Sequence, residues 1–189
     1  MDDWLTVFAT VAGGAAALLG TVLAHSLGSR EQSRRENNTE RRNSYLTYLV
    51  ALDAAQARLR QLADPDDPPL DLEIQARRAV GEAGVYEARE RMLLVGSPAV
   101  MSAMERVHQR LADMRKAVRD GAKLYTGAYH DAYHPYAEAL WHLRAEIRKD
   151  LGAAPLTPGD LDKQSWDSQA NCDFCQRHKA AVPAQPAPA

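Results

Sequence analysis

Two groups of side chains in this 189-residue chain have the types and spacing to do chemistry. One is Cys172-Asp173-Phe174-Cys175-Gln176-Arg177-His178, a C-x-x-C with a histidine three residues beyond Cys175. Zinc prefers four nitrogen or sulfur ligands in a tetrahedron, and C-x-x-C turns two sulfurs toward one metal. Cys172, Cys175 and His178 supply three ligands at most. The fourth would come from a histidine of the remaining chain such as His130 or His134, an Asp, a water, or a second chain. Thiol redox is another use of the same spacing, although no β-α-β pattern of the thioredoxin kind surrounds it. Two ordinary thiols are the third reading, and half-motifs of this type most often are that. The other group is His130, His134, Glu138 and His142, one residue every four. On a continuous helix they share a ridge, and imidazole and carboxylate suit zinc, nickel or iron. Pro135 interrupts that ridge, so the expectation here is a solvated or partly buried polar flank.

The catalytic signatures are absent: no Gly-rich phosphate loop, no Gly-x-Ser-x-Gly elbow, no His-Glu-x-x-His. The paired Glu-x-x-His of di-iron bundles is missing too. The expectation is a protein without catalytic residues, in which capping accounts for Ser97 and core packing for Met101, Met104 and Met114. A formal net charge of −2 gives no basic field for nucleic acid.

The elements that must carry these residues read as helices. Tyr45, Tyr48, Leu52, Ala55, Leu59 and Leu62 fall at a/d spacing, as in a coiled coil, until Asp64-Pro65-Asp66-Asp67-Pro68-Pro69 breaks the pattern. A second helix is expected from Leu70 to Val95, with Gly81 and Gly84 inside it as close-packing or weak points. Gly96-Ser97-Pro98 reads as stop, cap and start. Val100, Met104, Val107, Leu111, Met114 and Val118 form the cleanest stripe. Tyr129, Tyr133, Tyr136, Leu140, Leu143, Ile147 and Leu151 mark the last helix, with Pro135 as a kink or its first turn. No segment alternates as a strand does. The fold class is all-α: an antiparallel bundle over 45–152, preceded by a charged stalk at 29–44 and followed by a disordered tail at 153–189.

The N-terminus supplies the address. From Trp4 to Leu27 there is no Asp, Glu, Lys or Arg, and then come Arg30, Arg34, Arg35, Arg41 and Arg42. That span of about 24 residues is roughly 36 Å as a helix, enough for one transmembrane anchor at 1–28. Arginines on its C-terminal side put that side in the cytoplasm and the N-terminus outside the inner membrane. A cleaved signal peptide would need a basic start, and the chain opens Met1-Asp2-Asp3. Ala12, Ala16, Gly20 and Ala24 form a small-residue ridge that could seat a homodimer.

The stretches LLGTVLAHSLGSR, RRNSYLTYLVALDAA, RMLLVGSPAVMSAMERV and LRAEIRKDLG resemble a group of uncharacterised single-pass proteins from high-GC bacteria. The resemblance spans about residues 5–152 and implies an anchor and a bundle, with no activity attached. The sequence expectation is therefore a membrane-tethered, non-enzymatic interaction or scaffold protein, its partners the bilayer, a second copy and a cytoplasmic protein. The alternative is a metal- or redox-responsive anchored sensor, with zinc as the cofactor.

Overall fold

A computed structural model describes residue 32 and residues 35–64, 71–163, 165–170 and 172–181. The chain divides into two units, Met1–Glu40 and Arg41–Ala189. In the first, residues 35–40 are helical; the expected anchor at 1–28, with Ala12, Ala16, Gly20 and Ala24, lies outside the described residues. Among the described residues no helix is long and apolar enough to cross a membrane.

The second unit is helical throughout, without a strand among its described residues. Its elements are α1 (41–63), α2 (Leu72–Gly81), α3 (Val85–Val95), α4 (Pro98–Arg119), α5 (Gly127–Asp150), a 3-10 turn (Pro158–Leu161) and α6 (Asp173–Ala181). Polar contacts fix the directions. Tyr45 meets Asp150, Asp53 meets Arg144 and the Leu124 amide donates to the Ala63 carbonyl, so α1 and α5 run antiparallel. Arg58 with Glu82 sets α2 against α1, and Arg89 with Glu105 sets α3 antiparallel to α4. The result is an up-down bundle whose core gathers the expected stripes of α1, α4 and α5.

The expected Leu70–Val95 helix is two helices. Gly84 takes φ +73°, a left-handed conformation that glycine reaches at little cost, and it ends one rod and starts the other. Val80 and Val85 stay buried on either side of the break, so α2 and α3 together still cover α4. Ser97 does not cap α4 with its side chain. Its hydroxyl instead joins Tyr45 and Arg41 around Asp150. Arg41 and Ser44, read as stalk, thus belong to the bundle, and Ser44 is buried.

The segment read as a disordered tail carries ordered structure. After α5, Gly152 at φ +76° reverses the chain, with the Ala153 amide donating to the Arg148 carbonyl at 2.9 Å. Thr157 and Asp160 close a capping box around the 3-10 turn. The strap then runs back along α5: Trp166 stacks on Trp141 at 4.8 Å, Ser168 reaches His134, and Cys172 reaches His130. The cations of Arg144 and Lys163 lie 4.7 and 4.8 Å from the Trp141 ring. Two aromatics and two cations give this stretch the docking contacts that its Pro- and Gln-rich composition conceals.

Candidate metal centre

The returning strap brings the two chemical groups of the sequence together, but only in part. His130 and His134 lie one turn apart near the start of α5. Cys172 immediately precedes α6, and Cys175 lies in its first turn. One ligand atom from each of the four lies within 4.8 Å of every other. His134 and Cys175 are buried, whereas His130 and Cys172 are half-buried.

Three of the six edges lie close to those of a zinc tetrahedron, and the other three are within 4.8 Å. For Zn–N of about 2.05 Å and Zn–S of about 2.3 Å, the edges are about 3.4 Å for N–N, about 3.6 Å for N–S and about 3.8 Å for S–S. His130 Nδ1 and His134 Nε2 are 3.4 Å apart, His134 Nε2 and Cys175 Sγ 3.2 Å, and Cys172 Sγ and His130 Nδ1 3.5 Å.

The outward nitrogens are held as ligating imidazoles need. His130 Nε2 lies 2.9 Å from the Leu124 carbonyl, which can only accept, so the proton sits on Nε2 and the Nδ1 lone pair points at the cluster. His134 Nδ1 contacts Ser168 Oγ at 2.6 Å; donating to that hydroxyl turns its Nε2 lone pair toward the cluster. Phe174 stacks on His130 at 4.3 Å and 8°, while Tyr129 and Tyr133 stand edge-on to the two imidazoles. These ring contacts help fix the orientation of the two imidazoles. Burial, then the adjacent Cys172 thiol, push the Cys175 thiol above its ordinary pKa. A divalent cation at the centre would reverse that balance and hold both sulfurs as thiolates.

No family model, curated protein or solved structure matches this chain.

His178 lies on α6, and its side chain is outside the described residues; α5 completes a set of four without it. Glu138 and His142 do not join the cluster. They pair with each other at 3.7 Å, about half exposed, and line a groove of about 420 Å³ with Arg106, Gln109 and Arg110. Steps of four residues advance about 40° beyond a full turn, so three steps carry His142 about 120° around from His130. The second unit can therefore hold a metal through His130, His134, Cys172 and Cys175. Sequence reasoning offered His130 or His134 as a single fourth ligand beside His178 but not both imidazoles together, because Gly152 and the Trp141–Trp166 stack, which align strap and helix, give no periodic signal.

Proposed function

We propose that this protein is a zinc-binding helical module in which one Zn²⁺ clasps the C-terminal strap onto the bundle. His130 Nδ1, His134 Nε2, Cys172 Sγ and Cys175 Sγ are its ligands. The observation that carries this reading is the convergence of two nitrogens and two sulfurs within 4.8 Å, three of their separations near tetrahedral edges, with the far side of each ring hydrogen-bonded. Four protein ligands leave no open position for water or substrate, which favours a structural or regulatory metal over a catalytic one. The soft sulfur pair with two imidazoles selects zinc over calcium, magnesium or manganese.

The wider role we assign is a non-enzymatic interaction module tethered at the cytoplasmic face of the inner membrane. Its support is the uncharged Trp4–Leu27 stretch and the arginines that follow it. The Ala12/Ala16/Gly20/Ala24 ridge would seat a homodimer, and the strap would be the element offered to or withheld from a cytoplasmic protein partner.

The test is elemental analysis of the full-length protein purified in mild detergent, before and after a strong chelator. One zinc per chain is expected. Its removal should change tryptophan fluorescence, because the Trp141–Trp166 stack lies on the strap that the metal pins. Substoichiometric metal after zinc reconstitution rules the reading out.

A further inference from the structure

The four ligands differ in what an oxidant can do to them. Two are imidazoles, which a mild oxidant leaves alone. The other two are sulfurs three residues apart, of which Cys172 is half-buried and Cys175 is buried. Half the ligand set can therefore be withdrawn in one chemical event, and the accessible sulfur is at the edge of the cluster. Resting on the zinc reading above, we infer that a peroxide-class oxidant opens the clasp by joining Cys172 and Cys175 in a disulfide, which ejects the metal and releases the strap.

The atoms balance as follows. The Cys172 thiolate attacks one oxygen of the peroxide ROOH; the O–O bond breaks, a Cys172 S–OH forms, and RO⁻ leaves and takes a proton. The Cys175 thiolate then attacks the Cys172 sulfur; the S–S bond forms and hydroxide departs, protonated to water. Two thiolates, one peroxide and two protons give one disulfide, one ROH and one water. The sulfurs lose two electrons and the peroxide gains them.

The local backbone permits this. Residues three apart on a helix have Cβ atoms about 5–6 Å apart, whereas a disulfide needs about 3.5–4.5 Å. Cys172 lies just before the first helical residue of α6, so it can turn inward without unwinding the helix. The zinc-spanned pair and the bonded pair are thus two arrangements of the same turn. With the sulfurs spent, His130 and His134 alone offer two ligands where a structural site uses four. The strap then loses the metal tie and keeps contacts that include its ring stacks at Trp141 and His130, the Lys163 cation contact, the Ser168 hydrogen bond and the Arg148 hydrogen bond to the Ala154 carbonyl.

The experiment treats the full-length zinc protein with hydrogen peroxide in slight molar excess. A chromophoric chelator reads released zinc, and peptide mass spectrometry reads cysteine state. The expected result is one zinc released for each Cys172–Cys175 disulfide, with zinc rebinding after dithiothreitol. In Cys175→Ser the reaction should stop at a sulfenic acid on Cys172, captured by dimedone. Zinc that stays bound while the cysteines remain reduced, or that leaves without the disulfide, overturns the inference. A protein that carries no zinc before oxidant fails both this inference and the reading beneath it; one that holds zinc against peroxide fails this inference alone.

Discussion

The two halves of one ridge on α5 meet different fates. His130 and His134 lie four residues apart, and so do Glu138 and His142. The first pair has its outer nitrogens held by the Leu124 carbonyl and Ser168, an aromatic wall, and two sulfurs delivered by the strap. The second pair lies on an open groove beside Arg106 and Arg110, with only a 3.7 Å contact between its own members. Spacing is equal in the two halves, and both offer metal-ligating side chains, two imidazoles in one and a carboxylate with an imidazole in the other. What separates them is whether another part of the chain arrives with complementary donors and orients the rings. A metal centre is a property of that convergence rather than of a histidine count.

The contrast can be broken most forcefully at the ligands. His134→Ala and Cys175→Ser should each cost at least about 100-fold in zinc affinity, since four ligands share about 10–16 kcal/mol of binding free energy; competition with a zinc chelator of known strength measures this. Retention of wild-type affinity by either variant would remove that residue from the set. Next in size is Ser168→Ala, which leaves all four ligands but frees His134 Nδ1. Loss of such an outer partner costs about 10–100-fold, and the same competition assay reads it.

A smaller effect belongs to the other end of α5, where Asp150 serves the fold rather than the metal. Burial alone would raise its pKa, but hydrogen bonds from Tyr45 and Ser97 and the Arg41 guanidinium hold it below the ordinary carboxylate value. A depressed folded-state pKa contributes stability that is present above the unfolded value and lost as pH falls through the folded one. Bundle stability should therefore drop below about pH 4. Asp150→Asn should flatten that acid limb while lowering stability at neutral pH by about 1–3 kcal/mol, measured by urea unfolding; an unchanged acid limb would show that Asp150 does not govern it. Last, Glu138→Gln and His142→Ala should leave zinc affinity within about twofold, as surface changes away from the centre do. A larger loss would erase the distinction between the two halves of the ridge.

Much of the bundle was legible in the chain. The stripe from Val100 to Val118 is buried as its spacing required, and Gly96-Ser97-Pro98 does separate two helices. Periodicity reports which face of a rod is buried, so these features came through. It is silent about a break that keeps both faces in register. For that reason Gly84, which splits α2 from α3 while Val80 and Val85 stay buried, could not be distinguished from a glycine inside one helix. Ser97 was misread for a related reason: a hydroxyl before a helix suggests a cap, whereas the half-buried Asp150 carboxylate 53 residues away is the partner it finds.

The metal centre was legible as two fragments, linked in the sequence only by His130 or His134 as a candidate fourth ligand. Cys172 and Cys175 were visible as half a site, and His130 and His134 as half a ridge. Their union depends on a reversal at Gly152 and on a strap whose docking contacts are single side chains without repeat: Trp166, Lys163, Ser168 and Phe174. Composition alone, rich in Ala, Pro and Gln, argued for disorder there.

The central claim is that one zinc joins α5 to the strap through two nitrogens and two sulfurs. X-ray absorption at the zinc edge on the full-length reconstituted protein tests it most directly. The account predicts four-coordinate zinc with two sulfurs at about 2.3 Å and two imidazole nitrogens at about 2.0 Å. A six-coordinate shell of oxygens, or a shell without sulfur, would contradict it.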